Sequence, residues 1–536
     1  MKYIFFSFLT FLLLSACNNK KQADEIFHHG IVYTVDSTFS KAEAFVVKAG
    51  KIVAVGSNEE ILQHYDAAKK TDLQGHFVYP GFIDAHCHFV GYAMDMKKAH
   101  LFGTKSFAEI IEQMKEFATH TPETWLYGRG WNQNDWEKKD FPDKSALDKA
   151  FPDRPVFLKR IDGHAAIANQ KALDLAGVTK DTKVRTGYVE VKEGKLTGIL
   201  LDDAMTLVER KIPLMPEDTL HKYMLKAQKD CIELGLTTLD DAGLDKRYID
   251  FLDKLQKNNE LKLRIYAMLT PTQENFEAFL HKKPYKTDRL NVRSFKIYSD
   301  GALGSYGACL LHPYHDKPDQ RGFLLHDVEY FDSIAAAIYP TDFQICTHAI
   351  GDSANRLILQ TYQKYLKGKN DRRWRIEHAQ IVDRSDLYRW GQYSIIPSVQ
   401  PTHFTSDISW AETRLDDKRL KGAYIYKELM EQNGWIPLGT DFPVEYLNPL
   451  YTFYSAVERS KFGNQYFNNS LTREQALRGM TIWAAKSNFE EKEKGSIEPN
   501  KFADFVIMKD DLMKDDLPKI REAKVVATYI NGEKLK

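Results

Sequence analysis

Through the middle of the chain, short apolar runs that end in polar or charged residues alternate with longer segments whose apolar positions recur at helical spacing. Strand candidates lie at Tyr79–His86, Thr237–Asp241, Leu263–Leu269, Ser294–Tyr298, Gln344–His348, Arg375–His378, Ser394–Val399 and Ile436–Gly439. Helical periods fall between them, at Ala335–Ile338, at Leu357–Leu366 and around Ala227 and Cys231, the last leading into Gly235-Leu236-Thr237-Thr238. Such alternation predicts βα units and a parallel sheet, and eight of them favour a (β/α)8 barrel over an open doubly wound sheet.

Both chain ends break this rhythm. Ile31–Val35, Ala44–Val47 and Ile52–Val55 read as short strands, as do Phe505–Met508 and Val525–Ile530, with Asn531-Gly532 a favoured two-residue hairpin turn. The ends, 24–78 and 488–536, are predicted to complete one small sheet domain beside a barrel spanning 79–487. About 150 residues separate the first two barrel strands, so an α+β subdomain is inserted at about 91–219. It carries Trp125, Tyr127, Trp131 and Trp136 and is placed to overhang the catalytic face.

The first residues stand apart from this fold. Lys2 precedes an apolar run from Tyr3 to Leu14, too short to span a bilayer and right for a signal peptide. Leu14-Ser15-Ala16-Cys17 resembles a bacterial lipobox, which implies a lipoprotein signal segment over 1–17 whose Cys17 becomes the lipidated first residue, and a lipoprotein anchored to the cell envelope, facing the periplasm or exterior. The alternative is an ordinary signal with a chance cysteine. Cys87, Cys231, Cys309 and Cys346 form no CxxC and read as buried free thiols. The 74 basic and 74 acidic residues balance, which argues against a nucleic-acid partner.

Chemistry gathers where the predicted strands end, the end at which barrel active sites sit. His86 and His88 lie two apart after an apolar run, hence on one face, and offer half of a metal site. Lys296, His348, His378 and Asp441 close four further strands, so six side chains converge on one cup.

The order of these residues resembles the amidohydrolase superfamily along nearly the whole chain. Phe295-Lys296-Ile297-Tyr298-Ser299-Asp300-Gly301 through Ser305, with Asp162-Gly163-His164-Ala165-Ala166, resembles its amidohydrolase-3 branch, which includes N-substituted formamide deformylase. The resemblance implies a metal-dependent (β/α)8 barrel with a flanking β-sandwich. It also implies two divalent metal ions, zinc above all: one on His86, His88 and Asp441, the other on His348 and His378, with carboxylated Lys296 as the bridge.

The implied activity is hydrolysis of an amide, formamide or cyclic-amide C–N bond in a small molecule by a metal-activated hydroxide, with Asp441 shuttling the proton. The alternatives are a mononuclear deaminase that leaves Lys296 unmodified and a lipid-anchored binding or regulatory protein without turnover. Trp131, Asp135, Arg160 and His164 are the candidate substrate contacts. His312 and His315 form a rival ligand pair, whereas His28, His29 and His403 are read as non-ligands. Homo-oligomerisation stays open.

Overall fold

The computed structural model describes residues 20–463 and 468–536. The leader and Cys17 lie outside them. Among the described residues no helix is long and apolar enough to cross a membrane.

The central sheet is a nearly closed parallel barrel. Its strands are β1 (Phe82–Cys87), β2 (Leu236–Leu244), β3 (Arg264–Leu269), β4 (Leu290–Tyr298), β5 (Gln344–Ala349), β6 (Arg375–His378) and β7 (Ile396–Ser398). Each pairs in parallel with the next. Most of their residues are buried, as strands covered on both faces must be. The eighth position is filled by residues 436–441, which form only one parallel bridge, Val399 to Leu438. Ala85 N–H donates to Leu438 O at 3.2 Å and Asp441 N–H to His86 O at 2.8 Å, so this segment closes the ring onto β1. Asp84 reinforces the closure, accepting from Thr440 N–H at 2.8 Å and Thr440 Oγ at 2.6 Å.

The run expected as one strand from Tyr79 to His86 is two. Phe77–Pro80 pairs antiparallel with Phe505–Met508 near the C-terminus, and β1 begins two residues later in a different sheet. The chain ends therefore meet in a six-stranded sheet, and a four-stranded sheet lies against it. Phe27 and Phe45 of the smaller sheet stack at 4.7 Å, and both meet Phe505 edge-on at 5.0 and 4.9 Å. The Asn531-Gly532 hairpin forms with φ of 52° and 71°, the positive values its turn requires.

Between β1 and β2 a further six-stranded sheet runs from Ala99–His100 to Lys195–Leu201. Helices Phe107–His120 and Ser145–Ala150 pack on one face, through Ile110, Met114 and Leu147. Helices Gln170–Ala176 and Asp203–Glu209 pack on the other, through Leu173 and Ala204. Leu158 and Phe157 go to opposite faces, as strand alternation requires.

Candidate metal centre

A cavity of about 990 Å³ opens at the C-terminal ends of the barrel strands. His88, Lys296, His348, His378, His403 and Asp441 line it, and His86 lies wholly buried at its base. Three of the sequence-predicted histidines are locked at Nδ1. His86 Nδ1 meets Glu377 Oε2 at 2.7 Å, His88 Nδ1 meets Ala242 O at 3.0 Å and His378 Nδ1 meets Gln400 Oε1 at 2.7 Å. An imidazole that donates from Nδ1 keeps its Nε2 lone pair free, the tautomer a metal needs. Burial, with Lys296 beside it, pushes His86 down to about 4, and burial among other histidines holds His348 and His378 well below the ordinary value. These three rings are neutral at pH 7.

Lys296 is fully buried on β4, with Nζ 3.0 Å from His86 Nε2. Burial brings its amine down to about 8. Asp441 Oδ1 lies 3.2 Å from His88 Nε2 and 3.6 Å from His86 Nε2. Burial alone would raise the Asp441 carboxyl, but the hydrogen bond from His403 and the nearby imidazoles of His88 and His86 hold it well below the usual range. Asp441 and His378 have φ of 65° and 72°, so the backbone is left-handed at both strand ends. Strain of this kind collects at functional sites.

The donor set fits a divalent cation. Nε2 of His348 and Oδ1 of Asp441 are buried without a hydrogen-bond partner, which is costly for polar atoms unless something else satisfies them. One ligand atom each from His86, His88 and Asp441 lie within 4.8 Å of one another, as do those of His378, His403 and Asp441.

His403, expected to stand apart, therefore belongs to the cluster. It sits in α1 (Pro401–Arg414), its Nε2 at 3.2 Å from Asp441 Oδ2 and its Nδ1 at 3.3 Å from Glu445 Oε1. Only its place just after the seventh apolar run hinted at this.

A second layer of charge was not read from the sequence. Glu377, which orients His86, accepts Arg375 Nε–H at 2.7 Å. Arg375 also donates from Nη1 to Asp240 Oδ2 at 3.0 Å and from Nη2 to Ala85 O at 2.7 Å. Burial opposes ionisation of Glu377, yet Arg375 and His86 keep its carboxyl far below the ordinary range. Asp300 accepts three loop N–H groups, from Ile350, Gly351 and Cys309, and so shapes the loop behind His348.

The four candidate substrate contacts separate. His164 lines the cavity, its ring 5.2 Å from that of His348 and its Nδ1 at 2.7 Å from Asp202 Oδ1. Asp135 is exposed at the cavity wall, accepting from Asn132 Nδ2 at 3.0 Å. Arg160 also reaches the wall, but its Nε, Nη1 and Nη2 are engaged by Gln133, Asp162 and Asn132, so it braces the wall more than it offers a free carboxylate clamp. Trp131 is a correction: it has no exposed surface, packs in the core of the inserted sheet and donates Nε1–H to Leu158 O at 2.8 Å. An indole buried on all sides cannot touch a ligand. His312 and His315 are not among the residues lining the cavity.

A parallel barrel with clustered imidazoles and a carboxylate at its C-terminal mouth is the architecture of a metal-dependent hydrolase. The chain belongs to the amidohydrolase family, whose profile matches residues 70–535. It is 32% identical to Protein LONG AFTER FAR-RED 3 of Arabidopsis thaliana, over 96% of this chain and 91% of the relative. It is 23% identical to N-substituted formamide deformylase of Arthrobacter pascens, over 94% and 96%. The structure of an uncharacterized metal-dependent hydrolase from Pyrococcus horikoshii OT3 superposes with a TM-score of 0.76 at 25% identity, covering 92% of this chain and 99% of that one.

Proposed function

We propose that the protein hydrolyses a C–N bond, in an amide, formamide or cyclic amide, of a small molecule at a centre of two divalent ions. In this reading His86, His88 and Asp441 would hold one ion, His348 and His378 the other, and Lys296, once carboxylated, would serve both. The observation that carries it is the set of Nδ1-anchored imidazoles converging with Asp441 and a buried lysine in one cavity. The formamide deformylase among the relatives supports the bond type.

Divalent ions bound here would supply Lewis acidity and lower the pKa of water, zinc being well matched to imidazole and carboxylate donors. The chain's own part is separate. Lys296, with its amine at about 8, has an appreciable neutral fraction at pH 7 to 8, the form that adds carbon dioxide. Asp441, ionised, accepts a proton from the attacking water and returns it to the departing nitrogen. His164 and Asp135 face the cavity from the inserted subdomain and orient the substrate.

The test is turnover of an amide, formamide and hydantoin panel before and after chelation. Loss of turnover on chelation, recovery with Zn²⁺ and a fall of about 10²–10⁴-fold in Asp441→Asn are expected. Turnover unaffected by chelation contradicts the reading, and ammonia release from an aminated ring with one ion bound would mark the deaminase instead.

The same proposal places the protein at a bacterial membrane surface through a lipid on Cys17. Radiolabelled palmitate is expected in the wild type and not in Cys17→Ser, and equal labelling of both refutes the anchor.

A further inference from the structure

In the four-stranded sheet, outside the residues that line the barrel cavity, the strand Lys21–His28 ends at His28 and is followed at once by a second histidine, His29. Neighbouring residues of an extended strand point to opposite faces, so such a pair ordinarily cannot share a ligand. His29 breaks the alternation, with a φ of 55° in the left-handed region. Its N–H donates to Asn58 Oδ1 at 2.7 Å, which helps hold the turn. The reversal brings the two imidazoles together, Nδ1 to Nδ1 at 2.9 Å, with rings edge-on at 4.6 Å. Two unprotonated lone pairs this close repel unless a proton or a cation lies between them.

A carboxylate completes the corner. Asp72 is the register partner of His28 on the parallel strand Tyr65–Asp72. Its Oδ1 lies 3.6 Å from His29 Nδ1 and accepts Gln74 N–H at 2.9 Å, which fixes the carboxylate's direction. One ligand atom from each of the three residues lies within 4.8 Å of the other two. Lys70, on the same strand as Asp72, is paired with Asp66 at 2.7 Å.

We propose that His28, His29 and Asp72 form a second metal site, separate from the barrel centre, for a transition ion such as Zn²⁺ or Cu²⁺. Two imidazole nitrogens and one carboxylate oxygen suit such ions and disfavour Mg²⁺ and Ca²⁺, which seek oxygen shells. Burial and the neighbouring imidazole hold His28 below its ordinary value, toward the neutral state a ligand needs. His29 and Asp72 are about half exposed, so solvent fills the remaining positions and the ion exchanges freely. Bound there, it staples the end of the first strand to its parallel neighbour.

The experiment counts zinc bound to the full-length protein across a series of buffered free Zn²⁺ concentrations, comparing wild type, the double variant His28→Ala/His29→Ala and Asp72→Asn. The wild type is expected to bind one zinc more than the double variant at saturation, whatever the barrel centre holds. Asp72→Asn is expected to weaken that zinc by about 10- to 100-fold. Equal zinc content in wild type and double variant overturns the proposal. Should the double variant fail to give the wild-type circular dichroism spectrum, Asp72→Asn decides, and an unchanged affinity for every bound zinc overturns it.

Discussion

At the scale of single residues, the centre depends on groups that touch no substrate. Glu377 holds His86 by its Nδ1 at 2.7 Å and is itself held by Arg375. Removing its charge in Glu377→Gln keeps the side chain's size but loosens the tautomer and orientation of His86. The variant is expected to lose bound metal about 10- to 100-fold more readily, read as metal retained after dialysis against graded chelator. Retention equal to wild type would mean that His86 does not depend on this contact. The histidines, Lys296 and Asp441 were legible in the sequence because each interrupts an apolar run at a strand end, where side chains face a barrel mouth. Glu377 stands in the same Ile376-Glu377-His378 run, yet nothing local says that its partner is 291 positions away. His403 was not legible because it stands outside the strand pattern, three residues into a helix begun by Pro401.

At the scale of elements, the ring closes through its weakest member. Residues 436–441 make a single bridge, so contact with β1 must be close, and Gly439 permits it. A Cβ there would meet His86 N at 2.5 Å and both Asp84 Oδ1 and His86 O at 2.9 Å, all held in hydrogen-bonded backbone or a buried carboxylate. Gly439→Ala is therefore expected to destabilise the protein by about 1–3 kcal/mol and to weaken metal retention together, since the push falls on His86 itself. Thermal unfolding and metal content check this; loss of neither shows that closure tolerates a side chain. The eight strand positions were visible as apolar runs because every barrel strand is buried on two faces. The split at Pro80-Gly81 was not, since both halves are apolar and only their partners, one antiparallel from the C-terminus and one parallel from β2, distinguish them. The meeting of the His28 and His29 rings was not legible for a kindred reason: period-two alternation holds until one residue turns left-handed, and no composition rule marks His29 as that residue.

At the scale of the whole molecule, the barrel supplies the donors, the sheet formed by both chain ends braces its N-terminal side through Asp504 and Arg264, and the inserted subdomain covers the cavity with His164 and Asp135. The length of the insertion was plain from the gap between two strands. Its own packing was not: Trp131 reads as a ligand contact in a string of aromatics and becomes core only when helices from both sides enclose the sheet. The central claim is that side chains from β1, β4, β5, β6 and the closing segment meet around divalent ions. Anomalous diffraction from crystals of the metal-loaded protein, collected across the zinc edge, tests it most directly. Two peaks are predicted in the cavity, about 2.0–2.1 Å from Nε2 of His86 and His88 and from Nε2 of His348 and His378, with added density on Lys296 Nζ between them. A cavity without anomalous signal, with the bare Lys296 amine still bonded to His86 Nε2, would contradict the account.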